Sequence, residues 1–201
     1  VAKGRGGVWI RVGRGQLCRA AGAAAVAVGL VWAGGAEEES KAWPVSREGR
    51  VFIGSADSYL YALDLKTGQK IWAFETQDMI EAPATVIGDT VYVGTLDGLF
   101  YAVDGLTGQE KWTYETDGQI AGAANWIVDA EGKTRLLIGS HDSQVHCVDA
   151  QTGTRIWAFE TDSYVNGTPA VADGQCAFGG CDAFRYVLDV AAGHAVGRLG
   201  T

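Results

Sequence analysis

One string of residues constrains this chain more than any other, because it is written three times in full and once in outline. Residues 64–76 read Asp-Leu-Lys-Thr-Gly-Gln-Lys-Ile-Trp-Ala-Phe-Glu-Thr, and the same order of Asp-x-x-Thr-Gly, tryptophan, aromatic residue and threonine returns at 104–116 and 149–161. Residues 189–201 keep the aspartate, the glycine and the final threonine, but carry Gly197 in the tryptophan column and Leu199 in the column of Phe74. A unit repeated at a fixed period cannot bury its apolar faces alone and must stack on its neighbours. Asp57, Asp97, Asp142 and Asp182 set that period at 40, 45 and 40 residues, with one insertion accounting for the longer interval.

Each unit reads as four short strands. A Pro-x4-Gly pattern at 44–49, 83–88 and 169–174 precedes an apolar segment that ends in glycine, as in Val51-Phe52-Ile53-Gly54 and Val91-Tyr92-Val93-Gly94. The third unit lacks the proline and has a longer turn, Asp129-Ala130-Glu131-Gly132-Lys133. A turn built on Asp57, Asp97 or Asp142 leads to a third strand, and an Asp-x-x-Thr-Gly turn leads to the fourth. In those second turns Asp64, Asp104 and Asp149 can hold the turn amides while Gly68, Gly108 and Gly153 take the left-handed conformation. Alternation then puts Trp72, Phe74 and Thr76 on one face. The recurring indoles of Trp72, Trp112 and Trp157 are suited to filling the space between adjacent sheets, each worth at most about 4 to 6 kcal/mol if fully buried.

Four-stranded units of this length stacking radially predict an all-β fold, a β-propeller of antiparallel blades at 43–76, 77–116, 117–161 and 162–201. The 29 glycines agree with a chain made of tight turns. A closed four-bladed ring is uncommon, and the degenerate last unit would close it poorly. The expectation is therefore part of a larger ring of seven or eight blades, with the remaining blades outside this segment.

The first 36 residues are of another kind. A basic opening, the apolar stretch at 20–32 and the small residues Ala33-Gly34-Gly35-Ala36 match a secretory signal, and 37–42 would be a linker. Upstream sequence that is not native to the protein is the other reading of this leader. The apolar stretch is short for a bilayer span, so no transmembrane segment is expected in the mature chain. Every acidic residue follows position 36, so the rest of the chain holds 11 basic against 24 acidic groups, a formal charge of −13. Such a body repels phosphate, and no nucleic-acid partner is expected.

The repeated Ala-x-Asp-x-x-Thr-Gly-x-x-x-Trp-x-x-x-Thr at 62–76 and 102–116, with Cys147 for the alanine at 147–161, resembles the tryptophan-docking motif of the pyrroloquinoline-quinone (PQQ)-like propeller repeats. The resemblance spans 43–201 and implies the propeller fold. It leaves function open, because such repeats occur in quinoprotein dehydrogenases and in non-catalytic relatives of the outer-membrane assembly-factor (BamB-like) class. The dehydrogenases are similar to one another in an adjacent Cys-Cys pair, calcium ligands from Glu and Asn, and a catalytic Asp. This chain has no Cys-Cys pair. No catalytic, cofactor or metal residue is assigned, and PQQ with calcium belongs only to the dehydrogenase reading.

The remaining reactive residues fall into repeat columns. Cys147 and Cys176 occupy small apolar positions, and Cys181 sits in a turn, with a Cys176–Cys181 disulfide left open. His146 shares the column of Tyr61, Tyr101 and Tyr186, while His141 and His194 lie at turns without a second ligand at metal spacing. Asn166-Gly167-Thr168 forms a glycosylation sequon in an ordinary loop position. What varies while the framework repeats is the set of loops entering the first strands, with Met79, Gln119, Tyr164 and Asn166, and these are the expected binding-face residues. Three functions stay open: an exported, periplasmic or extracytoplasmic scaffold for a protein or peptide partner, a fragment of a PQQ-dependent dehydrogenase, and the extracytoplasmic sensor domain of a larger protein.

Overall fold

The computed structural model describes residues 10–12, 16–18 and 44–200. Contacts divide the chain into two units, Val1–Glu37 and Glu38–Thr201. In the first, β1 (Ile10–Val12) pairs antiparallel with β2 (Gln16–Cys18), Ile10 opposite Cys18. The apolar stretch at 20–32, the linker, Trp43 and Thr201 lie outside the described residues.

The second unit is four antiparallel sheets, each a meander of four consecutive strands. The first comprises β3 (Val45–Arg47), β4 (Arg50–Gly54), β5 (Tyr59–Asp64) and β6 (Lys70–Glu75). The second comprises β7 (Thr85–Ile87), β8 (Thr90–Gly94), β9 (Leu99–Asp104) and β10 (Glu110–Glu115). The third holds β11 (Asn125–Val128), β12 (Thr134–Gly139), β13 (Gln144–Asp149) and β14 (Arg155–Glu160). The fourth holds β15 (Ala170–Ala172), β16 (Gln175–Gly179), β17 (Phe184–Asp189) and β18 (Ala195–Gly200). Among the described residues there is no helix, so none is long and apolar enough to cross a membrane. First strands approach one another, β3 to β7 and β11 to β15, as in blades converging on an axis.

The core lies between sheets rather than within them. Phe52, Leu60 and Ala62 of the first sheet meet Val91, Val93 and Val103 of the second. Tyr92, Phe100 and Ala102 meet Leu136, Ile138 and Val148 of the third, and Leu137, Val145 and Cys147 meet Cys176, Phe178 and Leu188 of the fourth. Middle strands are therefore apolar on both faces, whereas fourth strands alternate.

Two local features differ from the sequence pattern. Pairing of Val45 with Phe52, Thr85 with Tyr92 and Ala170 with Ala177 makes Pro44, Ala84 and Pro169 equivalent, so Pro83 stands one residue ahead of its apparent column. The reason is the turn: Glu48-Gly49 and Asp173-Gly174 both have positive φ at each residue, whereas the second sheet places Gly88 first, followed by Asp89. Second, each fourth strand carries a bulge just before the tryptophan column, with Leu63 opposite Lys70 but Ala62 opposite Trp72. Ile71 is the extra residue and points to solvent, and the twist it adds turns the outer edge away from further pairing.

Candidate functional site

The meander puts two kinds of connection at opposite ends of every sheet. One end carries the turns between first and second strands and the Asp-x-x-Thr-Gly turns. The other carries the turns between second and third strands and the loops that pass from sheet to sheet.

At the first end the repeated residues build a fastening. Asp64 Oδ1 accepts from the amides of Lys66 and Thr67 at 3.0 and 2.7 Å and from Thr67 Oγ1 at 2.9 Å. Asp104 and Asp149 repeat these bonds with Leu106 and Thr107, and with Gln151 and Thr152. The amides of Thr67 and Thr107 hold the two carboxyls below the usual carboxylate range, that of Asp104 down to about 2. Gly68, Gly108 and Gly153 have φ of 70°, 74° and 72°. Each tryptophan then reaches the next sheet: Trp72 Nε1–H donates to Gly105 O and Trp112 Nε1–H to Ala150 O, both at 3.2 Å, and Trp157 Nε1–H donates to Val190 O at 2.9 Å. A Cβ on Gly108 would lie 2.8 Å from Trp72, and one on Gly153 2.7 Å from Trp112. The indoles are half-buried, less than full burial between sheets would give, because they sit on outermost strands.

At the other end, backbone bonds tie each passing loop to both sheets it joins. Ile80, Ile120 and Val165 amides donate to Ser55, Thr95 and Ser140, and the amides of Leu96, His141 and Cys181 donate to Met79, Gln119 and Tyr164. Thr76, Thr116 and Thr161 hydroxyls each bridge one carbonyl of the passing loop and one of the turn between second and third strands. This scaffold leaves Met79 (38% exposed), Gln119, Tyr164 (56% exposed) and Asn166 facing solvent. Three of them meet at His141, whose ring stacks on Tyr164 at 5.2 Å, whose Nε2–H donates to Asn166 Oδ1 at 2.9 Å, and whose amide is held by Gln119. Met79 lies in the preceding loop, against Leu96. From sequence His141 stands only as a turn residue, not as a binding-face one, because its column holds Ala56, Leu96 and Cys181, so nothing repeats there.

The other polar candidates are structural in their contacts. His146 is 3% exposed. Its Nδ1 accepts from the Tyr114 hydroxyl and its Nε2–H donates to Asp142 Oδ2, each at 2.9 Å. Burial pushes its pKa down against the opposing pull of Asp142. Tyr61 and Tyr186 donate to Asp57 and Asp182 from the same column. Cys147 and Cys176 are buried thiols pushed up to about 12 and about 11 by desolvation, and Cys181 is exposed, with all three free. Among the described residues no three His, Cys, Asp or Glu side chains converge to hold a metal ion.

The family model described as outer membrane protein assembly factor BamB matches residues 23–129 and 120–196. The match begins within the stretch read as a leader. No curated protein matches the chain. Among solved structures, the crystal structure of BamB from Moraxella catarrhalis is 26% identical, with a TM-score of 0.70 over 83% of this chain and 52% of that one. The computationally designed Ika8 protein shares the fold at 20% identity, with a TM-score of 0.69 over 79% of this chain and 48% of that one. The chain thus spans about half the length of the structures it matches. With four antiparallel sheets stacked as propeller blades and a family match along most of its length, the chain belongs to the PQQ-like repeat family described as outer membrane protein assembly factor BamB.

Proposed function

We propose that the chain is a non-catalytic, exported scaffold, part of a seven- or eight-bladed ring in the periplasm or another extracytoplasmic space, whose loop end takes a protein or extended peptide partner. The observation that carries this reading is the His141, Tyr164, Asn166 and Gln119 cluster. It is a preorganised aromatic and polar surface on rigidly tied loops, with an exposed Tyr of the kind that anchors protein interfaces. The assembly-factor name of the matching family supports it, as does the share of the ring that the chain spans. Asp64, Gly68, Trp72 and their repeats serve as framework, and the segment holds neither PQQ nor calcium in this reading.

A photo-crosslinking residue placed at Gln119, and at Leu106 on the opposite end as a control, tests this in cells together with fractionation. The expected result is a discrete cross-linked protein from Gln119 alone, in the extracytoplasmic fraction. Cross-links from Leu106 alone, or a chain retained in the cytoplasm, would overturn it.

A further inference from the structure

The chain holds two asparagines, Asn125 and Asn166, and the fold treats them differently. Asn125 is engaged through both polar atoms of its amide: Nδ2 donates to Pro169 O at 3.0 Å, and Oδ1 accepts from the Trp126 amide at 2.9 Å. The nitrogen that follows Asn125 is thereby occupied as a donor, on a residue that carries an indole. Asn166 stands in the exposed run Asn166-Gly167-Thr168, where among the described residues its side chain makes one bond, Oδ1 accepting from His141 Nε2–H. Gly167 has no side chain to shield its nitrogen, a Cβ built there would meet nothing within 4 Å, and among the described residues its N–H has no acceptor. A main-chain nitrogen directly after a side-chain carboxamide is a nucleophile at high effective concentration, and it reacts where it is unhindered and unbonded.

From this contrast we infer that Asn166 is a site of spontaneous chemical modification, at which the Gly167 nitrogen drives conversion of the asparagine to aspartate. Solvent base takes the Gly167 N–H proton, the nitrogen forms a bond to Asn166 Cγ, and the Cγ–Nδ2 bond breaks, with Nδ2 taking a proton from water and leaving as ammonia. Water then opens the resulting succinimide at Cγ and restores the main chain, so the sum is water in and ammonia out. Opening at the main-chain carbonyl would instead give isoaspartate and lengthen the chain by a methylene. The fold disfavours that product, because Gly167 is closely packed on its carbonyl side: a Cβ on Gly139 would lie 2.9 Å from Gly167 O, and one on Gly122 3.0 Å from Gly167 C. The aspartate keeps its oxygen on His141 Nε2–H and adds a negative charge to the loop end. The reaction needs no partner and so does not depend on the function proposed for that end; under that function it places a carboxylate on the partner surface of aged molecules.

The test incubates the whole chain at neutral pH and body temperature and follows Asn166 and Asn125 by peptide mapping with mass detection. Asn166 should show the mass gain of amide-to-acid conversion about tenfold or more faster than Asn125. The main product should elute with the purified Asn166→Asp variant on anion exchange and should not be a substrate for an isoaspartate-specific methyltransferase. Gly167→Ala, whose methyl meets open space, should slow the conversion about tenfold or more while circular dichroism shows the chain still folded. Equal rates at the two asparagines, or a Gly167→Ala rate equal to the wild type, would overturn the site. Isoaspartate as the main product of the folded chain would overturn the assignment of aspartate.

Discussion

The glycine that ends an Asp-x-x-Thr-Gly turn is required for two separable reasons, and the repeat displays them apart. Gly68 has φ of 70° and nothing within 4 Å of where a Cβ would stand, so only its backbone conformation resists substitution. Gly153 has nearly the same φ but faces the Trp112 indole at 2.7 Å. Gly68→Ala should therefore cost about 1 kcal/mol, and Gly153→Ala about 2 to 4 kcal/mol, in urea denaturation. Equal losses would mean that the indole yields freely and does not depend on the bare glycine. The sequence made Asp64, Gly68, Trp72 and their repeats legible, because a residue that returns at a fixed interval reveals its job through the others in its column. His141 as a contact residue was not legible for the converse reason. What matters about His141 is its contact with Asn166, 25 residues away in a passing loop.

Between elements, the seam from the second to the third sheet contains a titratable group that the corresponding seams replace with tyrosine. Tyr114 of β10 and His146 of β13 share a hydrogen bond, Asp142 accepts from the other ring nitrogen, and Asp117 and Arg155 lie within electrostatic reach. Because burial lowers the folded pKa of His146 below its ordinary 6.5, the folded protein keeps the imidazole neutral while the unfolded chain takes up a proton. Stability from this group is thus complete above about pH 6.5 and declines as pH falls below it. The turn carboxylates Asp64 and Asp104 titrate in a lower window, below the ordinary aspartate range, so they do not mask the effect. Urea midpoints should fall from pH 7.5 to pH 5.5 in the wild type and much less in His146→Tyr. A wild-type midpoint that is flat or rises over that interval would contradict the neutral, buried imidazole. The four-strand meander was legible from turn spacing, whereas the fourth-strand bulges and the shifted turn at Gly88 were not. Both are pairing registers, and a one-residue offset leaves apolar composition unchanged.

At the scale of the whole molecule, the two ends of the sheets divide their work. The Asp-x-x-Thr-Gly end repeats, because each blade must fasten to the next in the same way. The loop end is tied down just as firmly through Thr76, Thr116 and Thr161 but varies in the side chains it shows. In the proposed function these variable side chains bind a partner and do not hold the fold. Tyr164→Ala separates the two roles, with the urea midpoint and cross-linking from Gln119 measured on the same preparation. Removal of an exposed ring should leave stability within about 0.5 kcal/mol of the wild type while cross-linking is lost. A large loss of stability, or full stability with cross-linking intact, would mean that Tyr164 does not serve as a partner-binding residue.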